Sequence, residues 1–168
     1  MIDGIYSICV DQSQEKPQFF VVADKLKKLE KAYCLESSLN QSTLYIAGAS
    51  ADSKPVIMAT SFDSELKVKR VFDASKHQLG LISCMKRVAK TDFLVLGGVR
   101  SLIILDFNGA VFSIMGKVVG AQTGVISDFD FYQNCIYTVC ERDRFICKVE
   151  LSLGNVGGLD QLDFSFSK

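Results

Sequence analysis

GLISCMKRVAKTDFLVLGGVRSLIILD, residues 80–106, is written a second time 44 positions on, as GVISDFDFYQNCIYTVCERDRFICKVE, residues 124–150. The register runs without a gap. Gly80, Ile82, Ser83, Val95 and Arg100 recur as Gly124, Ile126, Ser127, Val139 and Arg144, and the apolar positions between them stay mostly apolar. Within each copy, runs of strand length rich in Ile, Val, Leu and Phe alternate with turn-forming residues.

Self-similarity at about 40–45 residues, with several short strands per period, is the sequence mark of a β-propeller blade. Working outward, the repeat extends to KPQFFVVA (16–23) and KPVIMATS (54–61), a fainter echo 38 positions apart. The chain divides into four units, residues 4–33, 34–79, 80–123 and 124–158. The tail LDFSFSK (162–168) resembles SDFDFYQ (127–133). On that likeness, residues 159–168 are expected to be the first strand of a further or closing blade. Residues 24–33, DKLKKLEKAY, have helical spacing at Leu26, Leu29 and Tyr33, yet their place in the repeat predicts an outer strand. Two arrangements follow. Either the tail strand closes a four-bladed ring, or the chain is part of a larger all-β propeller; the second is expected.

At 168 residues the chain suits one domain. Its charge balances, 19 basic against 19 acidic residues, which removes the simplest argument for a nucleic-acid or anionic-membrane surface. No basic n-region with an apolar core is readable at the start, and the longest apolar run, residues 93–107, is interrupted by Arg100 and too short to span a bilayer. A cytoplasmic protein is expected, with the nucleus left open. Six cysteines lack C-x-x-C spacing and fall mostly in apolar strand patterns, so they read as buried reduced thiols.

The third and fourth units resemble the WD40 repeat. Leu105-Asp106 and Val149-Glu150 fall where that family has its Trp-Asp pair, His77 stands four residues before Leu81, and Asp143 matches the family's turn aspartate. There is no tryptophan in the chain. The third unit has Val99 at the aspartate position and the fourth has Ala121 at the histidine position, so neither can build the family's buried hydrogen-bond chain. The resemblance implies a non-catalytic protein-interaction scaffold in a larger assembly, binding proteins or peptides, as a homodimer or completed by missing blades. The alternative is part of an enzyme, or an enzyme-linked propeller, whose catalytic region lies outside the chain.

No constellation suggests catalysis, a cofactor or a metal. His77 is the only histidine, with Asp73 its nearest carboxylate in sequence. Gly97-Gly98 lacks the further glycines and the helix of a phosphate loop and reads as a tight hairpin with Val99 and Arg100. Asp128 and Asp130 alternate with Phe129 and Phe131, one solvated face and one buried. Lys67, Lys69 and Arg70, like Lys86 and Arg87, read as edge or surface charges. The loops expected along one rim carry Lys16, Lys54, Arg100, Glu141, Arg142 and Arg144, with Lys76 and His77 from the connecting set; these are the candidate partner-binding residues.

Overall fold

The computed structural model describes the backbone of residues 5–11, 18–24, 29–62, 66–156 and 159–167, and the side chains of residues 29–61 and 67–151. Among these, the chain forms strands joined by turns, with one short 3-10 helix at Ala74–His77. A two-stranded hairpin, β1 (Ile5–Asp11) with β2 (Gln18–Asp24), comes first. Three four-stranded antiparallel sheets follow, each a meander in sequence order. The first is β3 (Lys31–Ser37), β4 (Leu44–Ala49), β5 (Pro55–Phe62) and β6 (Leu66–Asp73). The second is β7 (Ile82–Arg87), β8 (Leu94–Gly98), β9 (Ser101–Phe107) and β10 (Phe112–Val119). The third is β11 (Ile126–Tyr132), β12 (Cys135–Cys140), β13 (Cys147–Val156) and β14 (Leu159–Ser167). The sheets are open; none closes on itself.

The second sheet is sandwiched between the other two, and its sequence shows why. Every residue of β8 is buried, as are Ser101 to Leu105 of β9, so LVLGG and SLIIL are near-continuous apolar runs where a half-exposed strand would alternate. One core, including Tyr45, Ile57, Leu79, Leu96 and Leu105, joins the first sheet to the second. The other, including Val95, Leu102, Ile126, Phe129 and Val149, joins the second to the third. Burying each such side chain contributes about 1.5–3 kcal/mol.

The first strands β3, β7 and β11 lie side by side. Each carries an irregularity within its first few pairs, at Ala32/Cys34, Ile82/Cys84 and Ile126/Asp128. An extra residue there bends the strand and sharpens its twist. The bulged residue of β7, Ser83, sends its hydroxyl to the Ile126 carbonyl of the next sheet at 2.5 Å and to the Gly97 carbonyl at 3.1 Å.

The repeat register holds where sheets touch and slips where loops differ. Cys84 and Asp128 occupy one position, as do Leu105 and Val149, each 44 apart, whereas on the middle strand Gly97 answers Val139, 42 apart. A two-residue turn at 133–134 replaces the loop 88–93, and a longer loop at 141–146 restores the count. Gly97 and Gly98 are explained by close approach. A Cβ on Gly98 would lie 2.2 Å from the Leu81 carbonyl, and one on Gly97 2.4 Å from Cys84 Sγ.

Unit boundaries shift from those read in the sequence. Lys31 to Tyr33, expected to end an outer strand of the first unit, open β3 instead, while residues 25–28 lie outside the described residues. The tail is corrected too: β14 pairs antiparallel with β13 from Lys148↔Ser167 to Val156↔Leu159, making it the fourth strand of the third sheet and not the first of another. Its likeness to β11 is the period-2 phenylalanine pattern that strands in general share. The short connection from β13 decides its partner.

Candidate functional site

By meander topology the β4–β5, β8–β9 and β12–β13 loops emerge at the same end of the sheets as the β6–β7 and β10–β11 connections. Lys54, Arg100, Glu141, Arg142, Arg144, Lys76 and His77 therefore share one rim; Lys16 lies outside the described residues. Most of the contacts made there are structural. Arg100 sits in a left-handed turn, φ 58°, donates its backbone N–H to the Gly124 carbonyl at 2.8 Å and accepts from Gly120 N–H at 2.7 Å. Lys54 faces Asp52 at 3.9 Å with both side chains well exposed, a pair worth little. Glu141, Arg142 and Arg144 are exposed.

His77 closes the 3-10 helix and stacks on Phe72, ring centroids 5.1 Å apart and 8° from parallel. Asp73 does not orient it. That carboxylate caps the 3-10 helix through Ser75, N–H at 3.0 Å and hydroxyl at 2.5 Å, and the Ser75 hydroxyl holds its pKa below the usual value. Asp143 accepts from Thr123, backbone N–H at 2.7 Å and hydroxyl, while Gln122 donates to the Thr138 carbonyl at 2.8 Å and hydroxyl at 2.9 Å. Gln122 and Thr123 thus tie the β10–β11 connection to the third sheet, a role the sequence reading left unassigned.

The opposite end is chemically richer. On β7, Lys86 Nζ lies 3.1 Å from an oxygen of Asp128 and 3.8 Å from one of Asp130 on β11, and 5.7 Å above the Phe129 ring. On the other side of β7, the Glu36 carboxylate of β3 accepts the Arg87 backbone N–H at 3.3 Å, and Arg87 Nε donates to the Ser37 carbonyl at 2.9 Å. By strand register Glu36, Lys86 and Asp130 are one repeat position in three sheets, opposite Tyr45, Val95 and Tyr137. The charge alternates in sign and each side chain of β3 and β7 reaches the next first strand. The sequence carried a signal for this, since Lys86 and Asp130 are 44 apart; each alone reads as a solvated charge. An ammonium between two carboxylates on adjacent first strands can polarise a carbonyl while a carboxylate accepts a proton.

Beside this row, a cleft of about 380 Å³ opens between the first and second sheets. Its walls come from the β3–β4, β7–β8 and β9–β10 loops and from Lys69 of β6. Tyr45 lies in its floor, where burial, and then the Asp92 and Asp106 carboxylates, push the phenol up to about 12. Among the described residues no three His, Cys, Asp or Glu side chains gather into a group able to hold a metal ion. No helix among them is long and apolar enough to cross a membrane. The five described cysteines are free thiols; burial, followed by the coupling of the two, drives Cys34 up to about 12, and burial drives Cys84 to about 11.

Comparison with family models found no match, and neither did comparison with curated proteins. Among solved structures, the chain is similar to the crystal structure of a "putative 6-phosphogluconolactonase" from Bacteroides uniformis, with a TM-score of 0.70 and 14% identity. The match takes in 98% of this chain and 48% of that one, so the chain spans about half the length of the protein it resembles. At that identity the likeness is one of fold.

This finding corrects the WD40 resemblance and the WD-repeat scaffold drawn from it. No family model matches, WD40 included, the sheets do not close a ring, and the fold shared over nearly the whole chain belongs to a protein named for an enzyme. The expectation of a non-enzyme falls with it. The physical reason is that short antiparallel meanders share turn chemistry. Asp143 and His77 match the WD40 pattern by position, but here they hold Thr123 and stack on Phe72.

Proposed function

We propose that this chain is part of a β-propeller enzyme, contributing about half of a ring whose remaining sheets, and part of whose catalytic region, lie outside it. The observation that carries this reading is the fold match over 98% of the chain and 48% of the Bacteroides protein. Side-by-side first strands and consecutive four-stranded meanders support it. So does the outward face of the third sheet. Gly97 and Leu102, on the face the second sheet buries, are answered there by Val139 and Ile146, which are 40% and 62% exposed. Such a face suits a further sheet.

The reaction class that follows is hydrolysis of a sugar-phosphate lactone. Water attacks the lactone carbonyl carbon and gives its proton to a carboxylate of the Asp128–Asp130 pair. Lys86 faces the oxyanion as it forms. The ring C–O bond then breaks, the departing alkoxide takes the proton, and the open hydroxy acid leaves. Hydrolysis of 6-phosphogluconolactone by the purified whole protein, this chain together with the rest of its ring, followed by acid release in a pH-stat, tests this. Acceleration over the spontaneous rate that falls about 100-fold or more in Asp128→Asn with Lys86→Ala is expected. Folded protein without acceleration would refute it.

A further inference from the structure

The geometry points to the cleft between the first and second sheets as a binding site for an anionic, polyhydroxylated small molecule, a sugar acid or sugar phosphate. Three loops converge there, and an Asn or Asp of each has one oxygen already committed. Asn40 Oδ1 accepts from the Ser38 hydroxyl at 2.8 Å and from the Ser42 N–H and hydroxyl at 3.0 and 2.7 Å. Asn108 Oδ1 accepts from the Ala110 and Val111 N–H groups at 3.1 and 3.0 Å. Asp92 Oδ1 accepts from Leu39 N–H at 2.8 Å, stitching the β7–β8 loop of the second sheet to the β3–β4 loop of the first.

Among the described residues, what remains uncommitted on these three is two amide NH₂ groups and one carboxylate oxygen. Lys69, which also lines the cleft, makes no ion pair among the described residues. The inventory is therefore rich in donors, with one cation and one acceptor. Amide donors and a lysine suit the oxygens of a carboxylate or phosphate, and a single carboxylate oxygen suits a hydroxyl. The Asn40 and Asn108 oxygens are spent on their own loops and that of Asp92 on the neighbouring one, so the groups left for a ligand are held in place before it arrives. About 380 Å³ is at the lower end of small-molecule sites, the size for one monosaccharide unit. The cleft opens at the end of β3 and β7 near which Glu36 and Arg87 stand.

This deepens the propeller-enzyme reading and rests on it for the choice of ligand. The test is titration of the whole 168-residue chain with 6-phosphogluconate, gluconate, glucose and inorganic phosphate, read by saturation-transfer NMR and calorimetry. Binding of 6-phosphogluconate, weakened about tenfold or more by Lys69→Ala and measurably by Asp92→Asn, with Lys54→Ala unchanged and melting temperatures preserved, is expected. Asp92→Asn keeps the oxygen that holds Leu39 and removes the charge. Absence of binding at millimolar ligand, or binding that Lys69→Ala leaves intact, overturns the site. Phosphate binding as tightly as 6-phosphogluconate overturns the polyhydroxyl part. Binding by this chain without turnover by the whole protein counts against the lactonase reading alone, and turnover by the whole protein indifferent to Lys69 counts against the cleft alone.

Discussion

Gly98→Ala should cost far more than the methyl group it adds. The new Cβ would stand 2.2 Å from the Leu81 carbonyl oxygen and 2.6 Å from Leu79 Cδ1, and Leu79 is fully buried. A carbonyl cannot rotate aside as a side chain can, so β8 must move from β7 by more than an ångström in a sheet packed on both faces. Overpacking of this kind costs about 1–3 kcal/mol, and the rigid neighbour puts Gly98 at the upper end. For a chain of this size about 3 kcal/mol lowers the melting temperature by roughly 6–12 °C. Gly80→Ala is the matched control. Its Cβ would meet nothing nearer than Val99 Cγ2 at 3.9 Å, so the change should be neutral or stabilise by about 0.4–1 kcal/mol through the unfolded chain. Differential scanning calorimetry of both variants decides the matter. Equal effects at the two positions, or Gly98→Ala melting within a degree of wild type, would refute the close-approach account of the Gly97-Gly98 pair.

The remaining predictions concern the joints between sheets. Ser83→Ala removes the hydroxyl that bridges β7 to β11 and should cost about 1 kcal/mol, whereas Ser127→Ala, at the same repeat position but exposed, should stay within about 0.5 kcal/mol, as urea denaturation will read. Cys34 and Cys84 should resist Ellman's reagent in the native chain near neutral pH, since their thiols are held protonated; rapid reaction of both would contradict their burial. Their raised pKa values also fix a sign. The unfolded thiols ionise near 9.0 while the folded ones hold their protons to about 12 and 11, so this stability is whole below pH 9 and is lost as pH rises toward 11–12. Cys34→Ala should therefore melt with a shallower alkaline decline, and an identical slope would show that the thiol does not take part.

Strand content was legible because the pattern is local. In residues 94–98 and 101–105 a continuous apolar run between turn residues says that a strand is buried on both sides, and β8 and β9 are. The partners of a strand are a different matter. LDFSFSK carries the alternation of a first strand, and only the hairpin that returns it to β13 makes it a fourth. The charged row shows the same division. Lys86 and Asp130 stand at one repeat position in the sequence, but their meeting depends on adjacent first strands, a long-range contact that no window of sequence contains. The cleft was missed for a related reason. Asn40, Asp92 and Asn108 read as ordinary turn residues, and their convergence follows from the packing of two sheets.

First strands of successive sheets lie against one another, and the candidate site depends on it. Side-chain NOEs between Ser83 and Ile126, 43 residues apart and in different sheets, test this most directly in the labelled chain. Strong cross-peaks there, beside those linking Thr138 to Cys147 within the third sheet, are the expected result. Intrasheet peaks with none between Ser83 and Ile126 would mean that the sheets form but do not stack in this order, and the candidate site would go with them.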